Sequence, residues 1–281
     1  VPPTAARRGA KRARPSAKQS REAPEAVEAD VENVSIEIED LAGFNPTINW
    51  LIHGPSGHGK TTLAGGAPNA TFLACERGSI SAKRTGSKAG LMRAPDWPHI
   101  VAATKLAGEK MGPEDWLIVD SLPRAQTLYI RWLLGVRHEE NSARDLDIPA
   151  IQDHQKWQNA FTRWVDGVID APYNAIFLSQ SMYKTDENGD DLVLPAITGK
   201  DYAIAMGICA AMDIVTYYAV ATKDGNAQKD EDGNPIRRAL FQPYPPYFAK
   251  DWYNVFGRAQ DVYHEDYGAM AEFIQMIRES E

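Results

Sequence analysis

An α/β fold with a mainly parallel sheet, flanked by helices, is predicted by three features of this 281-residue chain. Short apolar runs recur without polar alternation, as in Ala70-Thr-Phe-Leu-Ala-Cys75, Trp116-Leu-Ile-Val-Asp120 and Asn174-Ala-Ile-Phe-Leu-Ser-Gln180. Such runs suit strands covered on both faces, which is the environment of a parallel sheet. Helical stretches separate them. The earliest run of this kind, Ile48-Asn-Trp-Leu-Ile-His53, leads directly into a glycine-rich turn and then a helix.

Taken in order, the elements follow from local pattern. Val34-Ser-Ile-Glu-Ile-Glu39 alternates at period two and predicts an edge strand before the Ile48–His53 strand. Lys60-Thr-Thr-Leu-Ala64 starts a helix that Gly65-Gly66-Ala-Pro68 ends quickly. The run Ala70–Cys75 is a second buried strand, and His99-Ile-Val-Ala-Ala103 reads as another short one. After the Trp116–Asp120 strand come helices near 124–136 and 149–170, then the strand ending at Gln180. A polar loop to about Lys200, a helix to about 211 and a hairpin of 213–222 with 236–243 follow. A helix near 266–279 closes a domain expected to span 34–281.

Charge is distributed unevenly around a formal net value of −8. Seven basic residues lie between Arg7 and Arg21 without an acid, and eight acids lie between Glu22 and Asp40 without a base. Residues 1–33 therefore read as a disordered tail, either binding nucleic-acid phosphate or folding back on its own acidic neighbour. With 43% hydrophobic residues the chain can build a full core, and no apolar run approaches the length of a membrane span. The basic start lacks the apolar stretch of a secretory leader. Cys75 and Cys209 make no disulfide framework or metal motif and lie in apolar runs, so a reducing, cytoplasmic location is expected.

Chemistry concentrates at strand ends. Gly54-Pro55-Ser56-Gly57-His58-Gly59-Lys60-Thr61-Thr62 has the form G-x-x-x-x-G-K-[ST] of a phosphate-binding loop. Its glycines let successive backbone N–H groups curl around phosphate oxygens, and the helix N-terminus adds partial positive charge. Lys60 is placed to reach the β- and γ-phosphates of a nucleoside triphosphate, and the Thr61 hydroxyl to ligate Mg²⁺. Asp120, at the end of an apolar strand, suits the aspartate that holds Mg²⁺ through water. The residue after it is Ser121, not glutamate, so another group must polarise the attacking water. Glu76, just past the end of the Ala70–Cys75 strand, is the candidate; an ion pair with Arg77 is the alternative. Gln180 either donates its amide to a γ-phosphate oxygen or caps its strand.

In order, Pro55-Ser-Gly-His-Gly-Lys-Thr-Thr-Leu-Ala64, Phe72-Leu-Ala-Cys-Glu-Arg-Gly78, Leu117-Ile-Val-Asp-Ser121 and Ile176-Phe-Leu-Ser-Gln180 resemble the RecA-like core ATPases. More narrowly, the chain resembles the compact phage nucleotide-binding proteins grouped with Sak-type single-strand annealing proteins. The resemblance runs from about Val34 to Gly257 and takes in Phe248-Ala-Lys250-Asp251. It implies a RecA-like P-loop NTPase core, ATP and Mg²⁺ as cofactors, Glu76 as catalytic glutamate and Gln180 as γ-phosphate sensor. Lys250 matches a lysine that reaches a neighbouring subunit's nucleotide, implying a homo-oligomer. The implied setting is phage recombination or replication in the host cytoplasm, with single-stranded DNA and a single-strand-binding protein as partners. One departure is Trp252, where the family carries arginine; Lys250, Arg237 and Arg238 are the substitutes for an intersubunit cation.

Two other classes stay open. Tyr183-Lys-Thr-Asp-Glu-Asn-Gly-Asp-Asp191 is acidic and disfavours phosphate there, leaving Lys83, Arg84, Lys88 or the tail for DNA. An acidic surface of this kind suits a nucleotide-dependent assembly or packaging factor with a protein partner. A small-molecule kinase needs an arginine-rich lid, and no such segment lies between Gln180 and Lys200. Trp132, Trp157 and Trp164 lie in helical stretches and read as core rather than base-stacking residues. For Tyr244-Pro-Pro-Tyr247-Phe248, partner contact and a rigid strand end are equally open.

Overall fold

The strand β1, Asn49–Gly54, is buried at every position and lies mid-sheet. It pairs in parallel with β5 (Asn174–Thr185) on one side and β7 (Ile214–Val220) on the other. A computed structural model describes residues 46–199, 202–263 and 268–280, all of which fall in one compact unit, Asn45–Glu281. The expected tail and the Val34–Glu39 strand lie outside the described residues. Beyond β5 the sheet continues in parallel through β4 (Trp116–Asp120), β2 (Ala70–Ala74) and β3 (Gly90–Arg93). Beyond β7 it turns antiparallel, through β10 (Arg237–Leu240) to β12 (Ala259–Val262). Two short strands join from the sides: β6 (Asp191–Pro195) on β5, and β11 (Lys250–Asp251) on β7. A separate two-stranded ribbon, β8 (Thr222–Lys223) with β9 (Asn226–Ala227), caps the connection from β7 to β10.

Unbroken apolar runs have a direct structural outcome here. Successive side chains of a strand point to opposite faces. Leu51, Leu73, Leu117, Val119 and Phe177 enter one core, while Trp50, Ile52, Phe72, Ile118 and Ile176 enter the other. The first core is closed by α3 (Trp97–Lys110), α4 (Leu122–Glu140), α5 (Ile151–Ile169) and α6 (Ala203–Ala211). The second is closed by α1 (Lys60–Ala64), α2 (Ile80–Arg84), α7 (Ala269–Arg278) and the ring cluster Trp50, Phe241, Phe256 and Phe273. Each fully buried Leu or Ile contributes roughly 1.5–3 kcal/mol. In α5, Trp157, Phe161, Val165 and Val168 recur at helical spacing and are buried, with Trp164 packed beside them, as the sequence predicts.

Three expectations change. His99–Ala103 is not a strand but part of α3: the Asp96 carboxylate accepts from the His99 amide at 3.0 Å as N-cap, and Pro98 sits in the first turn. A five-residue apolar run does not by itself distinguish the two periods. The polar loop after Gln180 is instead a hairpin, because β5 runs on to Thr185 and pairs with β6. Trp132 is 40% exposed and stacks on Tyr129 instead of entering the core. The expected hairpin of 213–222 with 236–243 forms as β7 and β10, and the terminal helix as α7. Both cysteines are buried, and burial pushes each thiol up to about 12.

Candidate functional site

Four adjacent parallel strands, β1, β5, β4 and β2, present their carboxyl ends to one cleft of about 530 Å³. Carboxyl ends of such strands are where ligands gather in open α/β sheets. Lining it are Ser56, Gly57, Gly59, Lys60, Thr61 and Thr62 after β1, Glu76 and Gly78 after β2, Asp120 and Ser121 at β4, and Gln180 in β5.

The loop Gly54–Thr62 curls as its sequence requires. Gly59, the N-cap of α1, has φ of 93°, a left-handed conformation that a Cβ disfavours. Lys60 is buried, and its Nζ donates to the carbonyls of Gly54 (2.9 Å) and Pro55 (2.8 Å), inside the curve of the loop. Burial lowers its pKa to about 8, against the opposing pull of Asp120 and Glu76. The apex is braced from outside: the Val220 amide donates to His58 Nδ1 at 2.9 Å, and Arg237 Nε donates to the His58 carbonyl at 3.0 Å.

Opposite the loop, Thr61 Oγ1 donates to Asp120 Oδ2 at 3.3 Å. Burial, and then the like charge of Glu76, push Asp120 up to about 6. The Ser121 hydroxyl donates to Glu76 Oε1 at 2.9 Å. Gly78 leaves the space these carboxylates need, since a Cβ there would meet Asp120 Oδ2 at 2.8 Å. Gln180 is opposite Gly54 in the β1–β5 register, so its side chain and the phosphate loop leave neighbouring strands at one level.

Sequence reasoning missed two contributors, Ser121 and His53, and offered a third, Arg237, only as a substitute for an intersubunit cation. Ser121 was noted only for not being an acid, yet it orients the acid on the neighbouring strand. Arg237 reaches the cleft from β10 of the same chain. His53, fully buried behind the loop, has a pKa lowered to about 4 by burial. It is therefore neutral, with Nε2 donating to the Phe248 carbonyl (2.8 Å) and Nδ1 accepting from the Ser181 hydroxyl (3.0 Å). These partners are far apart in sequence, and only strand order could have joined them.

Lys250 does not line the cleft. Its Nζ donates to the Ala210 carbonyl at 2.8 Å at the C-terminal end of α6 and lies 3.8 Å from the Trp252 ring centroid. Arg238 pairs with Asp261 at 2.6 Å. A second cavity of about 240 Å³, lined by residues of α4, α5 and their connection, has both of its carboxylates paired: Arg144 with buried Asp153 and Arg137 with Glu140, each at 2.6 Å.

The doubly covered sheet, the phosphate loop and the strand-end carboxylates define an α/β P-loop nucleotide-binding domain. Compared with known families, the chain matches AAA_24, described as an AAA domain, over residues 47–253. It belongs to that family and is an AAA-type, P-loop ATPase domain. No curated protein matches it. Among the described residues, no helix is long and apolar enough to cross a membrane.

Proposed function

We propose that the chain is a Mg²⁺-dependent ATPase whose turnover serves single-stranded DNA in phage recombination or replication. The observation that carries the ATPase reading is the convergence of Lys60, Thr61, Glu76, Asp120 and Gln180 on one cleft. Loop amides and Lys60 bind the β- and γ-phosphates of ATP. Thr61 and Asp120 fit Mg²⁺: they are hard oxygen donors within 3.3 Å of each other, one of them a buried carboxylate. Among the described residues no group of three or more His, Cys, Asp or Glu could hold a metal; Mg²⁺ takes one or two protein oxygens, and nucleotide phosphates and water would supply the rest. When bound, the ion neutralises phosphate charge. Glu76, aimed by Ser121, accepts the proton of the attacking water, and the Gln180 amide binds a γ-phosphate oxygen and changes partner on hydrolysis. Lys250 takes the intersubunit role in a homo-oligomer, which requires its ammonium to leave Ala210 and Trp252 on assembly.

Single-stranded DNA is favoured by the stretch from Arg77 to Pro95, which flanks the cleft. Its five basic residues, Arg77, Lys83, Arg84, Lys88 and Arg93, are all exposed, and the stretch contains no acid. None of the five forms an ion pair among the described residues. Free, unpaired cations are what phosphate backbones bind, with release of counterions. The resemblance to phage annealing ATPases adds the biological setting by analogy. One observation favours a protein partner instead: Glu187, Asp190 and Asp191, at the turn between β5 and β6, are exposed and acidic.

ATP hydrolysis with and without single-stranded DNA, beside Lys60→Ala and Glu76→Gln, tests the reading. Stimulation by DNA that disappears in both variants supports it. Turnover indifferent to DNA, with no salt-sensitive gel shift by the chain with or without residues 1–33, moves the assignment to the protein partner.

A further inference from the structure

Arg237 occupies a position that its neighbour in sequence does not. In β10 it pairs with Val220 of β7, the residue whose amide holds His58 at the apex of the phosphate loop. Its own Nε donates to the His58 carbonyl at 3.0 Å. A Cβ built on Gly59 would lie 2.7 Å from Nε and 3.4 Å from Cζ, so the guanidinium lies over the turn that opens α1. It lines the same cleft as Lys60, Glu76 and Gln180.

The charge of that guanidinium is not cancelled. Among the described residues, no carboxylate oxygen lies within 4.0 Å of an Arg237 nitrogen. Arg238, one residue on, faces the other way and is held in a fork by Asp261 at 2.6 and 2.9 Å. Alternation along the strand thus sends the two arginines to opposite faces: Arg238, neutralised by Asp261 of the edge strand β12, and half-buried Arg237, without a carboxylate partner among the described residues, into the cleft. A planar fork with its outer donors free matches phosphate oxygens.

We propose that Arg237 is a catalytic residue acting in cis, its guanidinium binding the γ-phosphate in its own cleft and stabilising the charge that develops there during hydrolysis. This rests on the ATPase reading above. In the step, the water oxygen bonds to the γ-phosphorus as the bond to the β–γ bridging oxygen breaks. The electron pair of that bond leaves with ADP, and the water's proton passes to Glu76. Negative charge grows on the equatorial and leaving oxygens, where a fixed guanidinium stabilises the transition state more than bound ATP.

The test compares the wild-type chain with Arg237→Gln, which retains an N–H donor for the His58 carbonyl, and Arg237→Lys, which retains the charge. Steady-state turnover is read beside the affinity of fluorescent mant-ADP, with and without aluminium fluoride. Arg237→Gln should lower kcat about 10³-fold, change mant-ADP affinity by less than about threefold, and lose the tightening by aluminium fluoride. Arg237→Lys should recover part of both. Mixing Arg237→Gln with Lys60→Ala should restore nothing, because the arginine acts in its own cleft. Near-normal turnover in Arg237→Gln, a loss of mant-ADP affinity matching the loss of turnover, or rescue on mixing each overturns the proposal while leaving the ATPase intact. Wild type that neither hydrolyses ATP nor tightens with aluminium fluoride overturns the ATPase reading and this one together.

Discussion

Asp120 lies almost wholly out of water, close enough to Glu76 for the two charges to repel. Its folded pKa, about 6, is above the unfolded value of about 3.9. Any stability it lends is therefore complete below about pH 4 and lost as pH rises through 6; above that, the charged form costs about 3 kcal/mol. Asp120→Asn should raise Tm by about 8 °C at pH 8, have little effect at pH 4, and abolish turnover. Equal Tm at both pH values would remove the electrostatic account. Ser121→Ala makes a finer prediction: with Glu76 no longer aimed, kcat should fall by about tenfold while nucleotide affinity holds. Stopped-flow nucleotide binding beside steady-state turnover separates the two. Lys60, Thr61, Glu76, Asp120 and Gln180 were all legible because each follows or ends an apolar run. Ser121 was not, and Arg237 was legible only as an intersubunit substitute, since the place of each depends on what a different strand puts opposite it.

Elements follow the same logic of pattern and partner. The runs from Ile48, Ala70, Trp116 and Asn174 declare themselves because both of their faces are covered. β3, the sequence Gly90–Arg93, escaped notice because it is an edge strand with mostly exposed side chains. His99–Ala103 misled because its helix is set from outside the run, by Asp96 and Pro98. In the connection between α4 and α5, one buried carboxylate ties the loop to the start of α5. Buried Asp153 accepts from Arg144 at 2.6 Å and from the Ala150 amide at 3.1 Å. Asp153→Ala orphans both donors and should cost about 2 kcal/mol, seen as a lower urea midpoint. ATP turnover should be unchanged, since Asp153 takes no part in lining the cleft; a parallel loss of turnover would contradict that separation.

For the whole molecule, the arrangement of charge decides what the ATPase serves. If DNA lies along the rim, changing Lys83, Arg84 and Lys88 together to Ala should weaken binding uniformly across sequences and lower the log–log salt slope by about 2. Fluorescence anisotropy of a labelled oligonucleotide at several salt concentrations measures both, and an unchanged slope would place the contact elsewhere. A different consequence follows from the ribbon of β8 and β9. Its tip, Asp224 and Gly225, is exposed and already in left-handed backbone, so it can carry an inserted domain without disturbing packed residues. The same connection runs back to Val220 on one side and, through residues 228–236, to Arg237 on the other, the two residues that brace the phosphate loop. A circularly permuted fluorescent protein placed between Asp224 and Gly225 would thus be wired to the loop through a few paired residues, making this chain a natural starting point for an optical reporter of nucleotide occupancy.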